Sequence, residues 1–278
     1  MGNCRYCGEK VGLLRTQHKA CEVNHLTVVE EITQCCWTAV TGSFDPSHAR
    51  RWVEARAPEG WVSDPKPFFL KAWGDAVRKI LEEGALGLAE QERLNLAKDA
   101  FGITTAELGE AWQLRCQGIV IREVIEGRIP APGIEFHMPF TVQKFEKVIW
   151  AWSSVKQYRE RTIPTFPEAN HGMSARVGGG VYHGIADSLD CPAVPTDQTL
   201  LGVGSLVFTD QNLYWGSGGW KEVKIPWKKV TVVRPFSDGI GIIKEGHSAM
   251  AAMFALGEGQ GWLARNLAEN LPHLGNME

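Results

Sequence analysis

Cys4 and Cys7 are separated by two residues, ten residues follow, and then His18 and Cys21 are again separated by two. Two pairs of thiolate or imidazole donors at this spacing supply the four corners of a tetrahedral zinc site, so residues 1–25 read as a zinc-finger-like module. Gly8 follows the CxxC turn, where a residue free of a Cβ lets backbone amides approach the sulfurs. On a helix, His18 and Cys21 share a face, and 11–14 is expected as a short hairpin arm. About 25 residues bury too little apolar surface to stay ordered alone, whereas bound zinc couples its binding free energy to folding. Four filled positions leave none for water, which makes the zinc structural rather than catalytic. His25 is the nearest substitute ligand, and scattered cysteines with a chance histidine are the competing reading.

Seven cysteines form an odd number, and no secretory leader precedes the four within the first 35 residues. A reducing, cytoplasmic setting fits that usage. Met1-Gly2-Asn3-Cys4 invites an N-terminal lipid, but Tyr6 stands where the myristoylation pattern wants Ser or Thr. The adjacent Cys35 and Cys36 point about 100° apart on a helix and are expected to be buried rather than reactive; Cys116 and Cys191 read as structural. No run approaches the length of a membrane-spanning helix. A net charge of −3 gives no global field for nucleic acid or acidic membrane, so such binding requires a local patch.

Residues 26–129 read as helices interrupted by proline and glycine. Asp45-Pro46 looks like an N-cap with proline at the first helical position, and Thr104 with Glu107 forms a capping box. The helix after that box places Leu108, Trp112, Cys116, Ile119 and Val120 on one stripe. Past Pro130, Pro132 and Gly133, a probable linker, the chain turns to alternating β-branched and aromatic residues. Strands are expected near 147–155, 174–182, 205–209, 213–216, 222–225, 230–234, 241–244 and 251–256. A closing helix over 261–271 carries Trp262, Leu263, Leu267 and Leu271. The fold class is therefore α+β in several parts: a zinc finger, a helical middle, and a small β-barrel or sandwich capped by a helix.

Two resemblances accompany this reading. Residues 80–108, from Ile80-Leu81-Glu82-Glu83 through Gly84 to Thr104-Thr105-Ala106-Glu107-Leu108, resemble the helix–turn–helix units of TerB-like proteins. Here Gly84, Ala85, Leu86 and Gly87 follow the two glutamates without side-chain oxygens, so no metal is expected in that turn. Residues 200–242 resemble bacterial PH-like, or GRAM-like, domains. The likeness lies in Thr209-Asp210, in Leu213-Tyr214-Trp215, in Ile225-Pro226-Trp227-Lys228-Lys229-Val230 and in Ser237-Asp238-Gly239-Ile240-Gly241-Ile242. It implies a PH-like domain over 130–278 and membership of a bacterial family that joins such domains to helical or zinc-binding segments.

Catalytic motifs are absent. Gly202-Val203-Gly204-Ser205 runs into an expected strand and lacks the last glycine of a nucleophile elbow. Gly178-Gly179-Gly180 and Gly216-Ser217-Gly218-Gly219 lack the Lys-Ser/Thr ending of a phosphate loop. His137, His171, His183 and His247 have no recognisable partners, and Asp187, Asp190, Asp210 and Asp238 read as turn formers. The expectation is a non-catalytic adaptor that engages a protein or peptide through its PH-like domain. Lys221, Lys224, Lys228, Lys229 and Arg234, interleaved with Trp220 and Trp227, offer an alternative contact for anionic lipid, but Glu222 dilutes the patch and a solvated strand face with the tryptophans in the core is the preferred reading. A third possibility is nucleic-acid binding by the zinc module, which carries Arg5, Lys10, Arg15 and Lys19.

Overall fold

A computed structural model of the chain describes residues 2–12, 15–42, 44–130, 140–159, 175–177, 180–217, 223–245 and 251–274, with only the backbone at 175–177. The expected linker beyond Pro130 and the residues Trp220, Lys221, His137, His171 and His247 lie outside that set. The chain divides into two compact units, Met1–Ile80 with Gly87–Leu114 and Leu81–Leu86 with Arg115–Glu278. The division falls inside two helices, at 80/81 and at 114/115, and in the turn at 86/87.

In the first unit, helix α1 (Lys19–Thr41) runs unbroken through the expected module boundary at residue 25. Its buried residues Val28, Ile32, Cys36, Ala39 and Val40 recur at helical spacing, so one stripe faces inward. Against it pack α2 (Pro46–Arg56) and α4 (Leu88–Phe101), which contribute Ala49, Val53, Leu94, Ala97 and Phe101. Asp45 caps α2 as expected, accepting a hydrogen bond from the His48 amide at 2.7 Å. Helix α3 (Lys66–Glu83) brings Phe69 onto Phe101, ring centroids 4.2 Å apart, and Trp73, whose Nε1 donates to the Leu94 carbonyl at 2.8 Å.

Arg93 satisfies carbonyls that the end of α1 and the following loop leave open, donating to Ala39 at 3.0 Å and Phe44 at 2.6 Å. Cys36 is fully buried, and burial pushes its thiol up to about 12; Cys35 is partly buried and raised for the same reason. The capping box at Thr104 and Glu107 is present, but the helix expected after it is two helices, α5 (Thr105–Leu108) and α6 (Glu110–Ile125). Gly109 between them has φ of 50° and ψ of −119°, a backbone conformation that only glycine adopts freely, and it ends the first.

The second unit is built on a seven-stranded antiparallel sheet. Its strands are β1 (Val148–Arg159), β4 (Thr199–Thr209), β5 (Asn212–Gly216), β6 (Val223–Pro226), β7 (Val230–Phe236), β8 (Gly239–Lys244) and β9 (Ala252–Ala255), in spatial order β6-β5-β4-β1-β9-β8-β7. All seven begin or end within a few residues of the expected strands, except that β4 starts six residues earlier than 205 and β1 ends four later than 155. β1 pairs with β4 along its length and with β9 only over 156–159. A register shift between Trp152 and Val155, with Ser154 at φ 58°, marks a bulge that bends β1 before it enters the second half of the sheet.

The single strand expected at 174–182 is instead a small hairpin, β2 (Ala175–Val177) against β3 (Gly180–Tyr182). A short helix, α7 (Ile185–Leu189), follows it, and it has no periodicity long enough to read. Helix α8 (Gly261–Asn270) packs on β7, β8 and β3. Trp262, Leu263, Leu267 and Ala268 are fully buried or nearly so, and each large apolar side chain contributes about 1.5–3 kcal/mol by burial. Gly261 starts α8 where a Cβ would lie 1.8 Å from the Phe236 carbonyl oxygen, so only glycine allows that approach.

Asn266 and Asn270, one turn apart, bind alternate backbone groups of the hairpin. Asn270 Oδ1 accepts from the Val181 amide at 3.0 Å while its Nδ2 donates to the Val181 carbonyl at 2.8 Å. Asn266 does the same for His183, at 2.9 and 3.1 Å. Two asparagines thus pair with the strand as a neighbouring strand's peptide groups do.

Candidate metal centre

Residues 2–11 form a tight loop closed on itself. The Val11 amide donates to the Gly2 carbonyl at 3.0 Å, Cys4 to Glu9 at 2.6 Å and Gly8 to Cys4 at 2.9 Å, with a bridge between Asn3 and Lys10. Gly8 sits at φ 77°, the left-handed turn read from its place after Cys7. Asn3 and Lys10 pair across the loop, while Leu13 and Leu14 of the arm expected at 11–14 lie outside the described residues. Donation from the Arg5 amide to Thr16, at 3.1 Å, brings the loop against the start of α1.

That start supplies the other two donors. His18 is the N-cap residue of α1 and Cys21 lies one turn on, so their side chains emerge on the same side as the loop. One donor atom from each of Cys4, Cys7, His18 and Cys21 lies within 4.8 Å of all the others. His18 Nδ1 is 3.4 Å from Cys7 Sγ and 3.8 Å from Cys21 Sγ, and the His18 amide lies 3.4 Å from Cys4 Sγ.

Orientation of the imidazole follows from its other nitrogen. His18 Nε2 lies 3.1 Å from the Lys10 carbonyl oxygen, which only accepts, so Nε2 carries the proton and Nδ1 presents its lone pair to the sulfurs. Cys4 is buried and Cys7 is exposed. Burial works against ionising Cys4, yet hydrogen bonds from the Cys7, His18 and Tyr6 amides outweigh it and bring the thiol down to about 6. For Cys21, burial, then hydrogen bonding to Cys7 and Cys4 and the charge on those sulfurs, push the thiol up to about 11. Cys4 is thus the more readily ionised and Cys21 the less, and a bound cation would offset the crowding of charge.

His25 is not a ligand. Its Nδ1 lies 2.6 Å from the Gly60 carbonyl and its ring stands 4.8 Å from that of Tyr6. Tyr6 in turn lies 5.4 Å from Trp61, and the Arg5 guanidinium sits 4.7 Å over the Tyr6 ring. Asn24 Nδ2 donates to the Glu59 carbonyl at 2.7 Å. These contacts tie the loop and the first turns of α1 to the 3-10 turn Ala57–Gly60.

The described part of the lysine-rich segment near Pro226 is arranged as the preferred reading has it for Trp227, not as the lipid alternative requires. Trp227 is not an exposed anchor: it is 2% exposed, its Nε1 donates to the Thr209 carbonyl at 2.7 Å, and Phe208 packs edge-on against it. Its apolar bulk fills the sheet's interior because the turn Trp227–Lys229 points it inward between Pro226 and β7. Lys224 leans over the Tyr214 ring and reaches within 3.8 Å of Glu146, a carboxylate buried in the sheet. Glu146 also accepts from Thr209, Asn212 and Tyr214, at 2.7, 2.7 and 2.9 Å. Lys228 and Lys229 are exposed, and Arg234 on β7 is half-buried.

Sequence reasoning found no partner for His183, which is buried with its Nε2 2.5 Å from Glu269, a residue 86 positions away on α8. Burial opposes ionisation of Glu269, but His183 and Arg265 hold its carboxyl below the ordinary range. No local pattern could signal this pair, because each half reads as an ordinary surface residue. The aspartates read as turn formers have other tasks too: Asp187 lies in α7 and accepts from the Gly184 amide at its start, while Asp210 and Asp238 accept from the amides of Lys147 and Val194, distant in sequence.

No protein-family model matches the chain, and no curated protein matches it. Among solved structures it is similar to the crystal structure of human RhoA in complex with the DH/PH fragment of PDZRHOGEF, with 11% identity over 91% of this chain and 68% of that chain. The TM-score is 0.25, too low to carry an argument about fold or function. No helix among the described residues is long and apolar enough to cross a membrane.

Proposed function

We propose that the chain is a non-catalytic, cytoplasmic binding protein in which one structural zinc ion organises the N-terminal loop and a PH-like barrel engages a protein or peptide. The observation that carries the zinc reading is the geometry of the four donors. Bonds of about 2.3 Å to sulfur and about 2.0 Å to nitrogen at tetrahedral angles place sulfur and nitrogen about 3.5 Å apart. The observed separations are 3.4 and 3.8 Å. Three thiolates and an imidazole oriented by a backbone carbonyl complete the sphere, which favours a structural over a catalytic ion.

The PH-like reading rests on topology. A long bent strand, β1, joins a β4-β5-β6 meander to a β9-β8-β7 meander, and a C-terminal helix packs on the latter, as the resemblance at 200–242 implies. Lipid is less favoured than a protein partner, because Trp227 is in the interior and Lys224 faces Glu146. One observation favours nucleic acid as a second reading: Trp61, 39% exposed, and Tyr6 form an aromatic pair beside Arg5.

Metal analysis of the full-length chain tests the first part. One zinc per chain is expected, and none in Cys7→Ser; a native chain free of zinc would remove the reading. Cross-linking capture with the full-length chain tests the second. Cross-links from the partner are expected on residues 140–274, and cross-links confined to residues 2–61 would contradict it. Gel-shift titration with single-stranded oligonucleotides decides the alternative.

A further inference from the structure

The seven-stranded sheet has two edges of different character. β6 spans only Val223–Pro226 and ends in proline, a short edge that offers a partner little. β7 is longer, and Pro235 guards only its far half, so that 230–233, which carries a register shift between Val230 and Val232, pairs with no further strand among the described residues. In an antiparallel edge strand every second N–H and C=O points away from the sheet and seeks a partner. Val232 is 45% exposed there and Thr231 is exposed as well.

This stretch is one wall of a groove of about 760 Å³. Val181 of β3, Ala268 of α8 and Pro272 stand among the residues of the other wall. Both walls are fixed, since α8 packs on β7 and Asn270 holds the Val181 backbone. Glu269 also lines the groove, but its carboxylate is engaged by His183 and by Arg265 at 3.1 Å.

The end of the groove at Val230 is basic. Lys228 and Lys229 immediately precede β7, and Lys244 is the register partner of Val230. All three are exposed and none forms an ion pair with a described residue; Glu245 is the acidic neighbour at this end. Their excess of positive charge selects carboxylates.

We propose that β7 is the docking edge for an extended, acidic segment of a protein partner, which adds a strand along 230–233 and sets its carboxylates against Lys228, Lys229 and Lys244. Backbone pairing supplies the register, the alternate Val side chains supply apolar contact, and the lysines choose the end that carries acid. The proposal rests on the reading of the C-terminal unit as a peptide-binding domain and names its site and ligand chemistry.

A phage-displayed library of random peptides, selected on the zinc-loaded full-length chain, supplies the probes. Enriched peptides are expected to alternate apolar residues with two or more acids near one end. They should slow amide hydrogen exchange at 230–233, and the double variant Lys228→Glu, Lys229→Glu should weaken them roughly tenfold or more. Exchange at Asn212–Gly216 in that variant serves as the check that the sheet is intact. Peptides that protect another part of residues 140–274 would overturn this site while leaving the peptide-binding reading standing. Peptides without acids, or indifferent to the double variant, would overturn the acidic ligand. No enrichment at all, with the sheet intact, would overturn the docking edge and the peptide-binding reading together.

Discussion

Among the described residues of 2–12, Cys4 and Val11 alone are buried, whereas the C-terminal sheet and its helix bury Phe208, Phe236, Ile240, Phe254 and Trp262 at 1% exposure or less. The first region cannot be held by apolar burial; its order comes from short backbone hydrogen bonds and four converging donors. The second needs no ion, because its side chains interdigitate across a bent sheet. Two kinds of order in one chain have two kinds of weakness, and each can be attacked without touching the other.

The largest effect is expected from removing the proposed zinc ion. Structural zinc binding is worth about 10–16 kcal/mol near neutral pH, so a chelator or Cys7→Ser should unfold 2–21 locally. Amide protection there should vanish while that of β8 and β9 stays, as hydrogen exchange would record. Next comes the interior of the sheet: Phe254→Ala should cost about 3–5 kcal/mol in urea unfolding and leave zinc content unchanged.

Asn270→Ala should cost about 1–3 kcal/mol, because it strands the Val181 amide and carbonyl. Proteolysis at the β2–β3 hairpin should accelerate in that variant, with the seven-stranded sheet still folded. The smallest effect concerns acid stability in the helical unit. Lys66, Thr104 and its backbone amide hold the Glu107 carboxyl down at about 2, against about 4.3 in the unfolded chain. A depressed folded-state pKa stabilises above the unfolded value, and that contribution fades as pH falls from about 4.3 toward 2. Urea melts of native chain and Glu107→Gln across that window should converge at the acid end.

How far the sequence is legible differs between the regions for the same reason. Four ligands separated by fixed short spacers give their geometry away, because covalent connection limits where they can go. The closing helix and the seven strands were likewise legible from local alternation and turn residues. What stayed hidden depends on partners distant in sequence: the Glu146 carboxylate sits among Thr209, Asn212 and Tyr214, and His183 meets Glu269. Trp227 left two readings open for that reason too, and its burial agrees with the one that puts the tryptophans in the core. A tryptophan among lysines suits a membrane surface or an interior equally well until the 3-10 turn fixes which way it points. Gly109 hid a helix break because a glycine within an apolar stripe is tolerated as often as it terminates one.

Cobalt substitution of the full-length chain tests the central claim most directly, because its visible spectrum reports both the ligands and the geometry at the ion. One equivalent should bind with thiolate-to-metal charge-transfer absorption and the intense d–d bands of a tetrahedral site, lost in Cys7→Ser and displaced by zinc. A pale octahedral spectrum, or bands that persist in Cys7→Ser, would contradict the closed coordination sphere on which the account rests.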